Sequence, residues 1–341
     1  MSRAYPPTTR LFLVAHVGMV LGLALFTTLI AVEGFRDVTR TLASAGIGLL
    51  WVTLFHLVPL MASALGWWAL FDASARPPFR VCGWSRWIAE SINQLLPALH
   101  VGGNIVRAQL LARGGVPGVV SGASVVADIT LHLLGQLCFT TLGLCLLLAH
   151  VGGETLAGPV LLGILTMALT VAGFYLVQRR GIFGMLSRVI RHIVRAGEWS
   201  AFSSNADALD HAIRGFYARR RRLGRSIVWH FLSWLLGAGE IWLALRFLGH
   251  PVGLPTAVAI ESLGEAVRTA AFSVPGALGV QEGGFLILGR IFGFTPEVAI
   301  ALSLSKRVRE VALGVPGLVA WQIGRASALV GARAAAPGKA G

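Results

Sequence analysis

Charge is scarce in this sequence. Only 13% of its 341 residues are Asp, Glu, Lys or Arg, against roughly a quarter in soluble domains, which excludes an ordinary water-soluble globule. Acid is scarcer than base, 15 residues against 29, for a formal net charge of +14. A pI near 11.4 would otherwise suggest nucleic-acid binding. Here the arginines fall mostly outside the apolar runs, where the positive-inside rule puts them, so nucleic acid is not expected as a partner. Cysteine is rare too: Cys82, Cys138 and Cys145 are too few and too badly placed for a disulfide framework. Cys138 and Cys145 share a helix face, as small packing residues do. Metal-ligand spacings, phosphate-binding glycine loops and dinucleotide fingerprints are all missing, so neither a metal nor a cofactor is expected.

What the chain has is apolar length: it is 55% hydrophobic, with a mean hydropathy of +0.73. A membrane-spanning helix needs about 20 such residues, and several runs meet that length. The expectation is an all-α polytopic membrane protein, a single transmembrane domain over 1–341. Residues 11–32 lack a cleavage site and read as a retained first span. Further spans are predicted at 47–71, 119–149, 157–177, 227–248 and 296–328, about six in all, the last kinked at Pro316. His56, in the second span, reads as a packed polar residue rather than a ligand. The loop 72–86, with Arg76, Arg80 and Arg86, and the basic loop 178–226 are expected in the cytoplasm, together with both termini. Ile182, Phe183, Leu186, Val189, Ile190 and Ile193 recur at helical spacing beside arginines, which predicts an amphipathic helix on an anionic leaflet.

Two stretches fit neither loop nor span. Residues 261–285, ESLGEAVRTAAFSVPGALGVQEGGF, carry Glu261, Glu265, Arg268 and Glu282 in apolar surroundings and are broken at Pro275, Gly276, Gly279 and Gly283. Residues 90–113, ESINQLLPALHVGGNIVRAQLLAR, repeat the pattern, with breaks at Pro97, Gly102 and Gly103. At membrane depth, irregular backbone is tolerated only inside protein or beside a wet cavity, and intramembrane charge marks a functional site by default. We therefore expect two re-entrant hairpins facing each other across a polar cavity. The first comprises a helix over 87–96 and a half-helix over 104–113; the second covers 257–292.

The halves, about 11–149 and 157–328, each read span, span, broken element, long span. Glu90-Ser91 matches Glu261-Ser262, Pro97 matches Pro275, and Asn104 matches Glu282. Asp128 and Arg307 stand equally far beyond Pro117 and Pro296. An odd number of spans per half turns the second copy upside down, the inverted-repeat architecture of alternating-access transporters.

Glu261, Glu265 and Arg268 share one helix face. Lys306, Arg307, Arg309 and Glu310 lie about 15 to 20 Å into the last span at 1.5 Å per residue. A lone charge there costs about 2.5–3.5 kcal/mol or more, so these groups must pair or face water. Glu282, Glu261, Glu265 and Asp128 are the candidate partners. Two readings stay open: a static ion-pair network tying the repeats together, or cationic groups that receive a lipid headgroup, arginine's fork being suited to phosphate. Glu282 either caps its half-helix or carries protons. The candidate cavity residues are Glu90, Asn93, Asn104, Arg107, Asp128, His132, Glu261, Glu265, Arg268, Gln281, Glu282, Lys306, Arg307 and Glu310. His230 and Glu240 nearly share a face of the fifth span without an evident partner.

ESINQLLPALHVGGNIVRAQLL and SVPGALGVQEGGFLILG resemble the flippase-like transmembrane domain shared with lysylphosphatidylglycerol synthases, over about residues 10–325. Within it, they resemble the hopanoid-biosynthesis-associated membrane proteins of the HpnL type. The resemblance implies a multi-pass protein of the bacterial inner membrane, working near lipid-biosynthesis enzymes. Its substrate would be an amphiphilic lipid, a hopanoid precursor or a phospholipid, moved between leaflets. The soluble aminoacyltransferase domain of the bifunctional synthases is not in this chain, so lysyl transfer by the chain itself is not expected. A membrane-embedded lipid-modifying enzyme or accessory subunit is the alternative, since a Glu/His pair beside a headgroup can do acid–base work.

Overall fold

The computed structural model describes residues 35–73, 75–96, 102–151, 199–271 and 274–334, with isolated positions between 165 and 180. The predicted spans 11–32 and 157–177, the break at Pro97, the amphipathic helix around 182–193 and the extreme C-terminus lie outside these residues, wholly or for the most part. Among the described residues every regular element is a helix.

A short helix α1 (Phe35–Ser44) leads into α2 (Gly48–Phe55) and α3 (Leu57–Trp68), which together form one apolar span of 21 residues. The ladder loosens at His56 because Pro59 lacks the N–H that would bond the Phe55 carbonyl. The first hairpin is α4 (Phe79–Leu95) and α5 (Gly102–Arg113), followed by the long α6 (Gly118–Val151). After α7 (Trp199–Tyr217) comes α8 (Arg220–Phe247). The second hairpin is α9 (Leu254–Ala270) and α10 (Val280–Ile291), joined through a single 3₁₀ turn at Pro275–Ala277, and α11 (Pro296–Ala334) follows. The spans Gly48–Trp68, Gly118–Val151 and Arg220–Phe247 are long and apolar enough to cross a membrane.

Helix α11 has 39 residues, about 58 Å at 1.5 Å per residue, and runs through Pro316 without interruption. Its central charges set it apart from the apolar spans, and its two faces explain how it is accommodated. Val308, Val311, Val315 and Val319 form an exposed stripe, while Lys306, Arg309 and Glu310 are buried on the opposite side. Spacings of three and four residues keep each set on its own face.

The hairpins have matching arms, of 17 and 12 residues in each. A 12-residue helix reaches only about 18 Å, well short of a hydrocarbon core about 30 Å thick. Packing repeats as well: α4 lies against α5 and, across the molecule, against α11, while α9 lies against α10 and, across the molecule, against α6. Helices α3 and α8 pack together and against the hairpin that follows each.

Several boundaries differ from expectation. Helix α4 starts at Phe79, eight residues before the predicted start, so Arg80 and Arg86 belong to a helix and not to the 72–86 loop. Gly102 and Gly103 open α5 and do not break it. Gly103 permits close packing: a Cβ there would stand 2.2 Å from the Ala89 carbonyl oxygen. Gly283 lies inside α10 with open space around it, so the backbone path does not require it. Gly279, at φ 75°, does need glycine's freedom to turn into α10. Cys138 and Cys145 are exposed along α6, not packed. The described part of the 178–226 segment includes α7, which packs on α6 and buries Ile213 and Tyr217 beside Trp67 and Leu131. Asp72 pairs with Arg219 and Arg222, which puts the loop after α3 and the basic turn before α8 on the same side.

Candidate functional site

Where α3, α4, α5, α6, α8, α9 and α11 converge, they enclose a cavity of about 410 Å³. Of the residues expected there, Glu90, Asn93, Asn104, Arg107, His132, Glu261, Glu265 and Arg268 line it. Asp128, Lys306 and Glu310 stand one layer behind, each bonded to a lining group. Gln281, Glu282 and Arg307 form a knot at the start of α10, joined to the lining Arg268 through Gln281 Oε1 at 3.2 Å.

Three buried ion networks support this cavity. The first centres on Asp128, fully buried in α6. Its Oδ2 accepts from Arg86 Nη1 at 2.8 Å and Arg107 Nη1 at 2.6 Å, and its Oδ1 bonds His230 Nε2 at 2.9 Å. His230 Nδ1 then lies 3.3 Å from His132 Nδ1, and Trp234 stacks on the His132 ring at 4.7 Å. Arg107 also stacks on Trp67, 4.6 Å from the ring centroid.

The second network joins α9 to α11. Lys306 Nζ donates to both oxygens of Glu261, at 3.0 and 2.8 Å, and to Glu265 Oε1 at 2.8 Å. One turn on, Arg268 pairs with Glu310, which also accepts from Arg307 at 3.1 Å. The third network ties α2–α3, α4, α8 and α11 together at His56. Its Nδ1 meets Glu240 Oε2 and its Nε2 meets Glu90 Oε1, both at 2.7 Å, while Arg309 bonds Glu240 at 3.1 Å. Four separate elements thus meet at one imidazole ring. Removing one member of such a set leaves its buried partners uncompensated, at about 3–5 kcal/mol.

The knot at α10 shows how Glu282 is held. Gly279 N–H donates to Glu282 Oε2 at 2.7 Å, and Ser303 Oγ and Arg307 Nε donate to Glu282 Oε1, both at 3.1 Å. Glu282 therefore caps its helix and anchors α11. Arg307 Nη1 also reaches the Gly276 carbonyl at 2.6 Å, fixing the turn between the arms.

Sequence reasoning missed several lining residues. His56 is a shared partner in the third network and not merely packed. Glu240, without a partner in the sequence, has Arg309 and His56. Arg86, assigned to a loop, faces the cavity at 13% side-chain exposure. Gln136, whose Nε2 donates to Thr269 Oγ1 at 2.6 Å, bridges α6 to α9. The available signal was intramembrane ionisability itself: Arg86 stands one turn before Glu90 on α4, whereas Glu240 and His56 lie on helices that held no candidate.

The family description "Lysylphosphatidylglycerol synthase TM region" matches residues 16–316. No curated protein and no solved structure shows significant similarity to the chain.

Proposed function

Because this chain belongs to the family of lysylphosphatidylglycerol synthase transmembrane regions, a membrane family related to lipid metabolism, we propose that it moves an amphiphilic lipid between leaflets. The headgroup would enter the central cavity while the acyl chains stay in the bilayer. The observation that carries this reading is the cavity: charged groups from both hairpins surround about 410 Å³ of space at the junction of seven helices. A purely static ion-pair network gains nothing from such a hollow, because dry packing strengthens ion pairs and solvent weakens them.

The matched hairpins support an inverted repeat about this cavity, with each hairpin packed against the long helix of the other half. In this proposal two outward-reaching α11-type and α6-type helices rock against the hairpins and expose the site to one side at a time. The candidate substrates are a hopanoid precursor or a phospholipid, in the bacterial inner membrane, with the loop between α3 and α4, the 178–226 segment and both termini on the cytoplasmic side. Anionic lipids of that leaflet would meet the basic loop.

The test is reconstitution into liposomes carrying a fluorescent phospholipid, with a membrane-impermeant quencher added outside. The expected result is fluorescence loss beyond the outer-leaflet half, slowed at least about tenfold in Arg268→Ala, whose guanidinium lines the cavity. Headgroup turnover without exchange between leaflets would favour a membrane-embedded enzyme instead.

A further inference from the structure

The cavity's charge is not evenly spread. Around Lys306, Arg268, Arg309 and Arg307, carboxylates outnumber cations: Glu240, Glu261, Glu265, Glu282 and Glu310 pair with those four bases. Around Asp128 the balance reverses, with two guanidinium groups sharing one carboxylate oxygen. Arg107 is only 1% exposed, yet its Nε and Nη2 have no hydrogen-bond partner among the described residues. Arg86 Nη2 reaches only His132 Nδ1, at 3.5 Å, an atom that also faces His230 Nδ1. One carboxylate cannot satisfy this many donors, and buried unsatisfied donors are costly.

Backbone adds to the same sign. Helix α5 begins two residues before Asn104 with no acidic residue in its first turn, whereas α10 is closed by Glu282. A helix start carries partial positive charge, and here that end lines the cavity at Asn104, beside Asn93, whose neutral Oδ1 accepts from the Gly103 N–H at 3.0 Å.

We infer that Arg86 and Arg107, beside the first turn of α5, form an oxyanion subsite in the cavity, which takes a tetrahedral phosphate. The phosphate comes either from a lipid phosphodiester or from free inorganic phosphate. Lys306 and Arg268, already saturated by carboxylates, do not form it. The subsite deepens the transport reading and rests on it only for the source of the phosphate.

The test is calorimetric titration of the purified full chain in detergent with three probes: inorganic phosphate, short-chain phosphatidylglycerol, and short-chain diacylglycerol, which lacks phosphate. Phosphatidylglycerol is expected to bind and diacylglycerol to bind at least about tenfold more weakly. Arg107→Lys, which keeps the charge on Asp128 but loses the fork, is expected to weaken phosphatidylglycerol at least about tenfold. Arg86→Gln, which leaves the Arg107–Asp128 pair intact, gives the same loss if Arg107→Lys fails to fold. Arg246→Gln, on the distant end of α8, binds as the parent does. Inorganic phosphate binding as tightly as the lipid identifies free phosphate as the ligand of the same subsite; a large gain from the acyl chains identifies the lipid. Equal binding of diacylglycerol and phosphatidylglycerol, or parental affinity in both Arg variants, overturns the assignment. No flux enters this assay, so a protein that binds phosphate without scrambling lipid retains the subsite and loses transport.

Discussion

The two hairpins are built alike and charged oppositely. Arg86 stands seven residues past Phe79, where α4 begins, and Glu261 stands seven past Leu254, where α9 begins. Asp128 stands ten past Gly118 and Lys306 ten past Pro296. The Arg86–Asp128 pair of the first half therefore has its counterpart in the Glu261–Lys306 pair of the second, with the signs exchanged. At the third position of the short arms, Asn104 stands against Glu282. In the second half that position closes the helix end with a carboxylate; in the first a neutral amide from the other arm, Asn93 Oδ1, accepts from the Gly103 N–H at 3.0 Å. One hairpin is locked to its long helix from within, while the other keeps donors in reserve. Shared geometry with opposite charge is a way to give one cavity two chemically distinct walls.

The comparison breaks most readily at Asp128. Asp128→Ala leaves Arg86, Arg107 and His230 facing one another without an anion, and is expected to destabilise by about 3–5 kcal/mol. Glu282→Ala leaves Arg307 with Glu310 and the Gly276 carbonyl, so its loss is smaller, about 1–3 kcal/mol. Thermal unfolding of the two variants in detergent orders them. Equal losses would mean that the halves are supported alike.

A smaller contrast lies in the short arms. Gly103→Ala pushes a methyl into the Ala89 carbonyl and against Asn93, forcing the arms apart at about 1–3 kcal/mol. Gly283→Ala meets nothing and sits in helix interior, so it is expected to stabilise by about 0.5–1 kcal/mol. Unfolding midpoints that fall for the first and rise for the second bear out the difference; two falls would place Gly283 in a contact of its own.

Much of this was legible in the sequence, because long apolar runs and prolines carry strong signals. The hairpins, the helices α6 and α8 and the start of α11 at Pro296 follow from hydropathy and from breakers. Register was harder to read. Matching Glu90-Ser91 to Glu261-Ser262 sets the copies one turn apart from the helix-start count, in which Glu90 corresponds to Glu265. Like residues attract an alignment by identity, whereas counting from the helix starts sets Arg86 against Glu261 and Asp128 against Lys306. Arg86 was lost for the same kind of reason. An arginine in a basic stretch just past an apolar span reads as loop, and only the distant Asp128, which comes from another helix, draws it inward. His56 and Glu240 show the general limit: a partner 184 residues away in sequence leaves no local trace.

The central claim is that water reaches a charged hollow between the hairpins at mid-depth. Leu133 lines that hollow, and Ile287, 64% exposed, lies on the outer face of α10. With Cys82, Cys138 and Cys145 replaced by serine, Leu133→Cys and Ile287→Cys in membrane vesicles are treated with a charged, membrane-impermeant thiol reagent. Modification of the cysteine at 133 and protection of that at 287 is the predicted result. Protection at 133 with the reagent supplied on both sides would contradict the account.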